Sequence, residues 1–263
     1  MDKFGALVEK TVLAFDFDGT IVDTARESFL SSAKAYEEMT GEKVINKHNE
    51  EQYVKGRAFS LCAEANFTLI RIISETPKIN FANYSQKSFD EEKSKDTELA
   101  NVFVPLFEKH REAAKGTKEW FAFQPIFPEI KHALKNLSKK YSLYITTTNQ
   151  SSSVTTLLDH YQVDIPREHI ISDSPQETKE ELLRKVAELE KVNMSSIILF
   201  DDAIKQLTAA KSAGAKTVLI MWGEKRQQFI DEAKKLGIPV VYTPKKCLSV
   251  IQSIEGIKKV TNY

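Results

Sequence analysis

Apolar positions change rhythm twice along this chain. Thr11-Val-Leu-Ala-Phe15 is a short unbroken apolar run of strand formers that ends in Asp16-Phe-Asp-Gly-Thr20. A run of that length, stopped by Asp-Gly turn chemistry, predicts a buried strand. Thr24-Ala-Arg-Glu27 then has capping-box spacing, and Phe29, Leu30, Ala33 and Tyr36 recur at helical intervals, so a helix leaves the strand. From there to about Phe123 only helical patterns return, first Phe59, Cys62, Ala63, Phe67 and Ile70, later Leu99, Val102, Phe103, Leu106 and Phe107. Between them Ser85 to Glu98 carries five acids and three lysines with little apolar content, which predicts a loop or a solvated helix face.

After Pro125 and Pro128 helices and strands alternate. Helical spacing at Ile130, Ala133, Leu134 and Leu137 precedes a strand at Leu143–Thr146, and Val154, Leu157, Leu158 and Tyr161 mark the next helix. A helix at Leu182, Leu183, Val186 and Leu189 leads to a strand at Ile197–Phe200, a helix ending at Gly214 and a strand at Thr217–Met221. A helix ending at Gly237 and a strand at Pro239–Tyr242 follow. This rhythm predicts an α/β fold with a parallel sheet between helices. Residues 1–23 and 125–263 would form that sheet domain, and 24–124 an all-α insertion over its strand ends. Such sheets bind ligands at the C-terminal ends of their strands, which directs attention to Asp16–Thr20, Thr146–Asn149, the helix start at Lys179, and Asp201-Asp202.

Charge and composition exclude several classes. The 263 residues hold 37 Lys+Arg and 37 Asp+Glu, so no net charge draws the chain to nucleic acid. At 41% hydrophobic and 28% charged, the composition supports a packed core rather than disorder. The two cysteines, Cys62 and Cys247, are far apart and lack partners at metal or redox spacing, as expected in a reducing compartment. Met1 to Val8 lacks the apolar core of a signal peptide, and no stretch approaches the ~18 apolar residues of a membrane span. A cytoplasmic protein without membrane partners is the expectation.

Asp16 and Asp18, two apart in an extended segment, point the same way, while Asp201-Asp202 ends a second apolar strand at the same predicted rim. Either pair alone is also ordinary turn or strand-end chemistry. Carboxylates from two strands converging on one edge repel unless a cation lies among them, and Mg²⁺ suits such a set, with Ca²⁺ the competitor. Thr146-Thr-Thr-Asn149 adds hydroxyls and an amide there, or simply starts the next helix. Thr178-Lys-Glu-Glu181 places Lys179 in a first helical turn, where a cation opposes the helix dipole; it is either a surface lysine or the holder of an anion. Arg57, beside Gly56, is a substrate contact or a surface arginine next to a helix end. Trp120, Phe121 and Phe123 read as hinge packing.

These features together resemble the haloacid dehalogenase superfamily. Asp16-Phe-Asp-Gly-Thr-Ile-Val-Asp-Thr24 is similar to its first motif, Thr148-Asn149 to the second, Lys179 to the third, and Asp201-Asp202 with Ala209-Ala-Lys211 and Ala213-Gly214 to the fourth. The chain departs from the family pattern in lacking Pro after Lys179, which leaves Arg184 or Lys185 as substitutes. It also departs in opening the fourth motif with Phe200-Asp201, and in reading Pro128-Glu129 where Pro-Gly is usual. The resemblance implies a Rossmann-like core with a helical cap inserted after the first motif, and a Mg²⁺-dependent phosphomonoesterase. Asp16 would be the nucleophile, forming an aspartyl-phosphate, and Asp18 the general acid and base. Asp16, Asp201, Asp202 and the main-chain carbonyl of Asp18 would bind the metal. Thr148, Asn149, Lys179 and, from the cap, Arg57 would bind substrate. The partner would be a small-molecule phosphate, the chain a monomer or homodimer. A sugar-phosphate mutase and a non-catalytic phosphate-binding protein of the same fold are the alternatives. Dehalogenation leaves Asp18 without a role, and phosphonate hydrolysis would rest on Lys55.

Overall fold

The computed structural model describes residues 10–172, 177–223 and 226–256, so the Met1–Val8 segment considered above lies outside the described residues. The chain forms two compact units, one of Met1–Val22 with Ile126–Tyr263 and one of Asp23–Pro125.

The first unit is built on β1 (Val12–Phe15), and the second contributes α1 (Ala25–Thr40), α2 (Lys47–Gly56), α3 (Ala63–Glu75), α4 (Gln86–Lys95), α5 (Thr97–Ala114) and α6 (Lys118–Ala122). The chain then returns to the first unit through α7 (Ile130–Leu137), β2 (Ser142–Thr146), α8 (Ser151–Tyr161), β3 (Ile170–Ile171) and α9 (Lys179–Glu190). It finishes with β4 (Ile197–Asp201), α10 (Ile204–Ser212), β5 (Lys216–Ile220), α11 (Gln227–Lys235), β6 (Val240–Val241) and α12 (Cys247–Ile254).

The six strands form one sheet in the order β3-β2-β1-β4-β5-β6, every pair parallel. All four residues of β1 and all five of β4 are buried. Successive side chains face opposite sides of a sheet, so burial of every position means both faces are covered, and the unbroken apolar runs are explained. Phe15 and Phe200 are register partners and stack at 4.6 Å, a pair contributing about 0.5–1.5 kcal/mol beyond its buried area. The strand order matters for function. The chain steps outward from β1 to β2 and β3, then crosses back so that β4 lies on the other side of β1. The point of reversal between β1 and β4 opens a crevice at their C-terminal ends.

The helical unit has its own core of Tyr36, Phe67, Phe103, Phe107, Phe59, Phe81 and Phe89, among others. Arg71 pairs with Glu75, Glu92 and Asp96 and so joins α3, α4 and the start of α5. Several expectations need correction here. The Thr24–Glu27 capping box does not form: Thr24 makes no side-chain cap bond, and Asp23 Oδ1 accepts from Ala25 N at 3.1 Å instead. Glu27 turns inward, accepting from Ser31 Oγ at 2.7 Å and pairing with Arg111 at 3.5 Å. The helical pattern through Phe59–Ile70 is broken by a 3₁₀ turn at Arg57–Phe59, and α3 starts only at Ala63. Ser60 is buried in that break because its hydroxyl donates to Asn66 Oδ1, which also accepts from Tyr53 Oη. Of the two readings for Ser85–Glu98 the helix holds: it is mostly α4, solvated except for fully buried Phe89, whereas Leu99 and Val102, read as part of an apolar helical pattern, face outward. Strand β3 and helix α12 were not among the elements the sequence pattern predicts.

Among the described residues no helix is long and apolar enough to cross a membrane.

Candidate active site

Asp16 follows β1 directly, and its N–H donates to Phe200 O at 2.9 Å, which extends the β1–β4 ladder by one rung. Phe15 and Phe17 point into the core, so Asp16 and Asp18 take the opposite side. The chain then folds back sharply: Gly19 N donates to Val22 O at 2.8 Å and Ile21 N to Phe17 O at 2.9 Å. Gly19 sits at φ 76°, and a Cβ there would stand 2.2 Å from Asp202 Oδ2. Both the left-handed backbone and the close approach of a carboxylate require glycine at this position.

Asp201 closes β4 on the neighbouring strand. It is buried, with Oδ1 accepting from Ala203 N at 2.8 Å. One oxygen from each of Asp16, Asp201 and Asp202 lies within 4.8 Å of the others. Lys179, the first residue of α9, is 4% exposed and reaches into the same place. Its Nζ donates to Asp16 Oδ1 at 2.6 Å and to Thr146 O at 2.7 Å, and lies 3.2 Å from Asp201 Oδ2. That last contact is an ion pair to a buried carboxylate oxygen, which keeps acceptor capacity beyond it. The capping box predicted for Thr178 and Glu181 forms in both halves and fixes where α9, and so Lys179, begins.

Electrostatics follow from this crowding. Burial is the largest influence on Asp16 and raises its pKa; Lys179 opposes it, Asp201 and Asp18 add repulsion, and the carboxyl is pushed up to about 7. For Lys179 burial acts against the charge, but Asp16 and Asp201 outweigh it and hold the ammonium above its ordinary value. An additional cation among three carboxylates would favour their ionised forms. The donor set is all hard oxygen, part of it buried with acceptor capacity to spare, and this fits a divalent cation of the Mg²⁺ type.

Asn149, in the turn after β2, is brought to Asp18: its Nδ2 donates to both carboxylate oxygens, at 3.2 and 3.3 Å. Thr148 is its half-buried neighbour in that turn. Arg184 and Lys185, the substitutes considered for Lys179, pair with Glu180 and Glu177 instead. Arg57 belongs to the helical unit, where its guanidinium donates to Ser60 O. The Thr146–Asn149 segment lies at this rim as the sequence predicts, but Thr146 contributes its carbonyl to the lysine and Thr147 a hydroxyl to the turn itself; Ser172 was not singled out in the sequence. Thr147 Oγ1 accepts from Asn149 N at 3.1 Å, and Ser172 Oγ donates to Asn149 O. Thr147 was one of three consecutive threonines with no mark to separate them. Ser172 follows β3, a strand the sequence pattern did not predict, so nothing placed it at this rim.

The family model described as haloacid dehalogenase-like hydrolase matches residues 13–220. Among solved structures, the chain is similar to a haloacid dehalogenase-like family hydrolase from Streptococcus pneumoniae, with 18% identity, 93% of this chain and 99% of that one covered, and a TM-score of 0.63. It is also similar to a protein described as a predicted phosphatase from Clostridium acetobutylicum, at 15% identity, 93% and 99% coverage and a TM-score of 0.65. A third is described as a predicted phosphoglycolate phosphatase from Haemophilus somnus, at 14% identity, 94% and 100% coverage and a TM-score of 0.62. At such identities the likeness is one of fold. No curated protein matches this chain significantly.

Proposed function

The chain belongs to the haloacid dehalogenase-like hydrolase family, and from that premise we propose that it is a phosphomonoesterase acting on a small soluble phosphate. The carrying observation is the buried Lys179 ammonium between Asp16 at the end of β1 and Asp201 at the end of β4, with Asp202 alongside. This is a place where anionic oxygens are gathered and partly neutralised, at the crevice where the strand order reverses. The solved structures described as phosphatases are in keeping with this reading.

In the proposed reaction an Asp16 carboxylate oxygen attacks phosphorus, forming a new O–P bond as the P–O bond to the leaving group breaks. Asp18 gives its proton to the departing oxygen. In the second half Asp18, now a carboxylate, takes a proton from water as that water attacks the aspartyl-phosphate. The bond to Asp16 breaks, and inorganic phosphate and the free carboxylate result. Lys179 and Thr148 bind the phosphoryl oxygens where charge gathers in the transition state. Asp16, Asp201, Asp202 and the Asp18 carbonyl would hold Mg²⁺, which when bound screens the repulsion between anionic nucleophile and anionic substrate. Arg57 is proposed to meet an anionic group elsewhere on the substrate.

Purified protein supplied with a panel of phosphate monoesters should release inorganic phosphate continuously with Mg²⁺ and stop with chelator. Asp16→Asn should abolish release while the protein stays folded. A product that is an isomer of the substrate would indicate a mutase, and ligand binding without turnover by the native chain would overturn the enzymatic reading.

A further inference from the structure

We propose that Asn149 is a positioning residue for Asp18, held for that purpose by Thr147 and Ser172, rather than a contact for substrate. This rests on the phosphomonoesterase reading, in which Asp18 must present one oxygen first to the leaving group and then to water.

Asn149 is only 6% exposed and sits in the turn after β2. Its Nδ2 is nearly equidistant from the two oxygens of Asp18, at 3.2 and 3.3 Å, so the amide straddles the carboxylate. An amide across both oxygens restrains rotation about the side-chain bonds of Asp18 that would turn its carboxyl away from a fixed line of attack. The main chain that carries the amide is restrained in turn: the Asn149 backbone N–H donates to Thr147 Oγ1 at 3.1 Å, and the Asn149 main-chain carbonyl accepts from Ser172 Oγ at the end of β3. Thr147 is 1% exposed and follows β2, whose partner β3 delivers Ser172. Two strands therefore converge to hold one turn, and that turn grips a side chain delivered by β1.

A shorter or mobile amide would leave Asp18 in place but free to rotate. The cost falls on the rate of a bound complex rather than on binding. A substrate contact would instead be lost from the ground-state complex as well.

The test is a double-mutant cycle read in kcat and KM separately, together with the side-chain amide resonances of Asn149 in ¹⁵N-labelled protein. Asn149→Ala should lower kcat by about 10–10²-fold, part of the roughly 10²–10⁴-fold that general acid–base catalysis supplies, and leave KM nearly unchanged. Asn149→Asp has the same shape but cannot donate, and should lose as much. In an Asp18→Asn background Asn149→Ala should cost nothing further. Asp18→Ala should shift the Asn149 amide resonances and speed their exchange with water. A rise in KM at constant kcat, multiplicative losses in the cycle, or an active Asn149→Asp would overturn the proposal. So would amide resonances indifferent to Asp18, and that readout stands even if the native protein hydrolyses no phosphate ester, an outcome that would sink the phosphomonoesterase reading instead.

Discussion

A lysine in the first turn of a helix works against the helix dipole, and one with 4% exposure works against desolvation too. Lys179 is kept there by oxygens of Asp16, Thr146 and Asp201, drawn from three different strands. Removing the ammonium leaves carboxylates facing each other with no cation between them. Lys179→Met should therefore destabilise the metal-free protein by about 3 kcal/mol, the scale for breaking a buried pair. Mg²⁺ should recover part of that loss, and any phosphatase activity should fall about 10²–10³-fold. Urea unfolding with and without MgCl₂ checks this, and a midpoint indifferent to Mg²⁺ in both native and variant protein would remove the cation-site reading. The acids and the lysine were legible in sequence because each ends a strand or opens a helix at a motif. The amide–carboxylate pair of Asn149 and Asp18 was not, since 131 positions separate the two and only the sheet brings them together.

At the scale of elements, the same spacing gave opposite outcomes at two helix starts. Thr178 and Glu181 close a capping box, whereas at Thr24 and Glu27 the glutamate is drawn inward by Ser31 and Arg111 and the box stays open. Spacing makes a cap possible, and the tertiary partners of its acid decide whether it forms. Glu129 before α7 adopts φ 68°, a conformation that costs a non-glycine residue about 1–2 kcal/mol. Its carboxylate pairs with exposed Lys245, a surface contact of small worth. Glu129→Gly should thus raise the unfolding free energy by about 0.5–1 kcal/mol, the relieved strain less the entropy glycine adds to the unfolded chain. A lower denaturation midpoint would contradict it. Helix α1 ends at Gly41, and the chain beyond is pinned to it when Glu37 accepts from Val44 N and Ile45 N. Burial disfavours the Glu37 carboxylate, but these donors and Lys43 prevail and hold its pKa below the ordinary value of 4.5. A depressed acid contributes stability that is present above its unfolded pKa and lost as pH falls through the folded one. Glu37→Gln should therefore narrow its stability deficit against the native chain as the pH drops below about 4.5, as measured by thermal unfolding across pH 3–7.

At the scale of the molecule, the two thiols offer a probe of global opening. Cys247 is 1% exposed, and burial pushes its thiol up to about 12, while Cys62 is only half-buried. A thiolate-specific reagent at pH 8 should label Cys62 in the native protein, and Cys247 only as fast as the sheet unit unfolds. Immediate labelling of both would mean that the core around α12 is open. Strand runs long enough to be buried on both faces, the alternation after Pro125 and the four acids were all determined by sequence, because periodicity and turn chemistry are local properties. Two-residue β3, the break before α3 and the outward turn of Leu99 and Val102 were decided by packing, which no local pattern encodes. The tertiary structure alone decided which strands are neighbours. The return of β4 to the flank of β1 sets Asp201 beside Asp16 and gives Lys179 two carboxylates to bridge, and that juxtaposition arises from the order of strands, a property of the folded sheet.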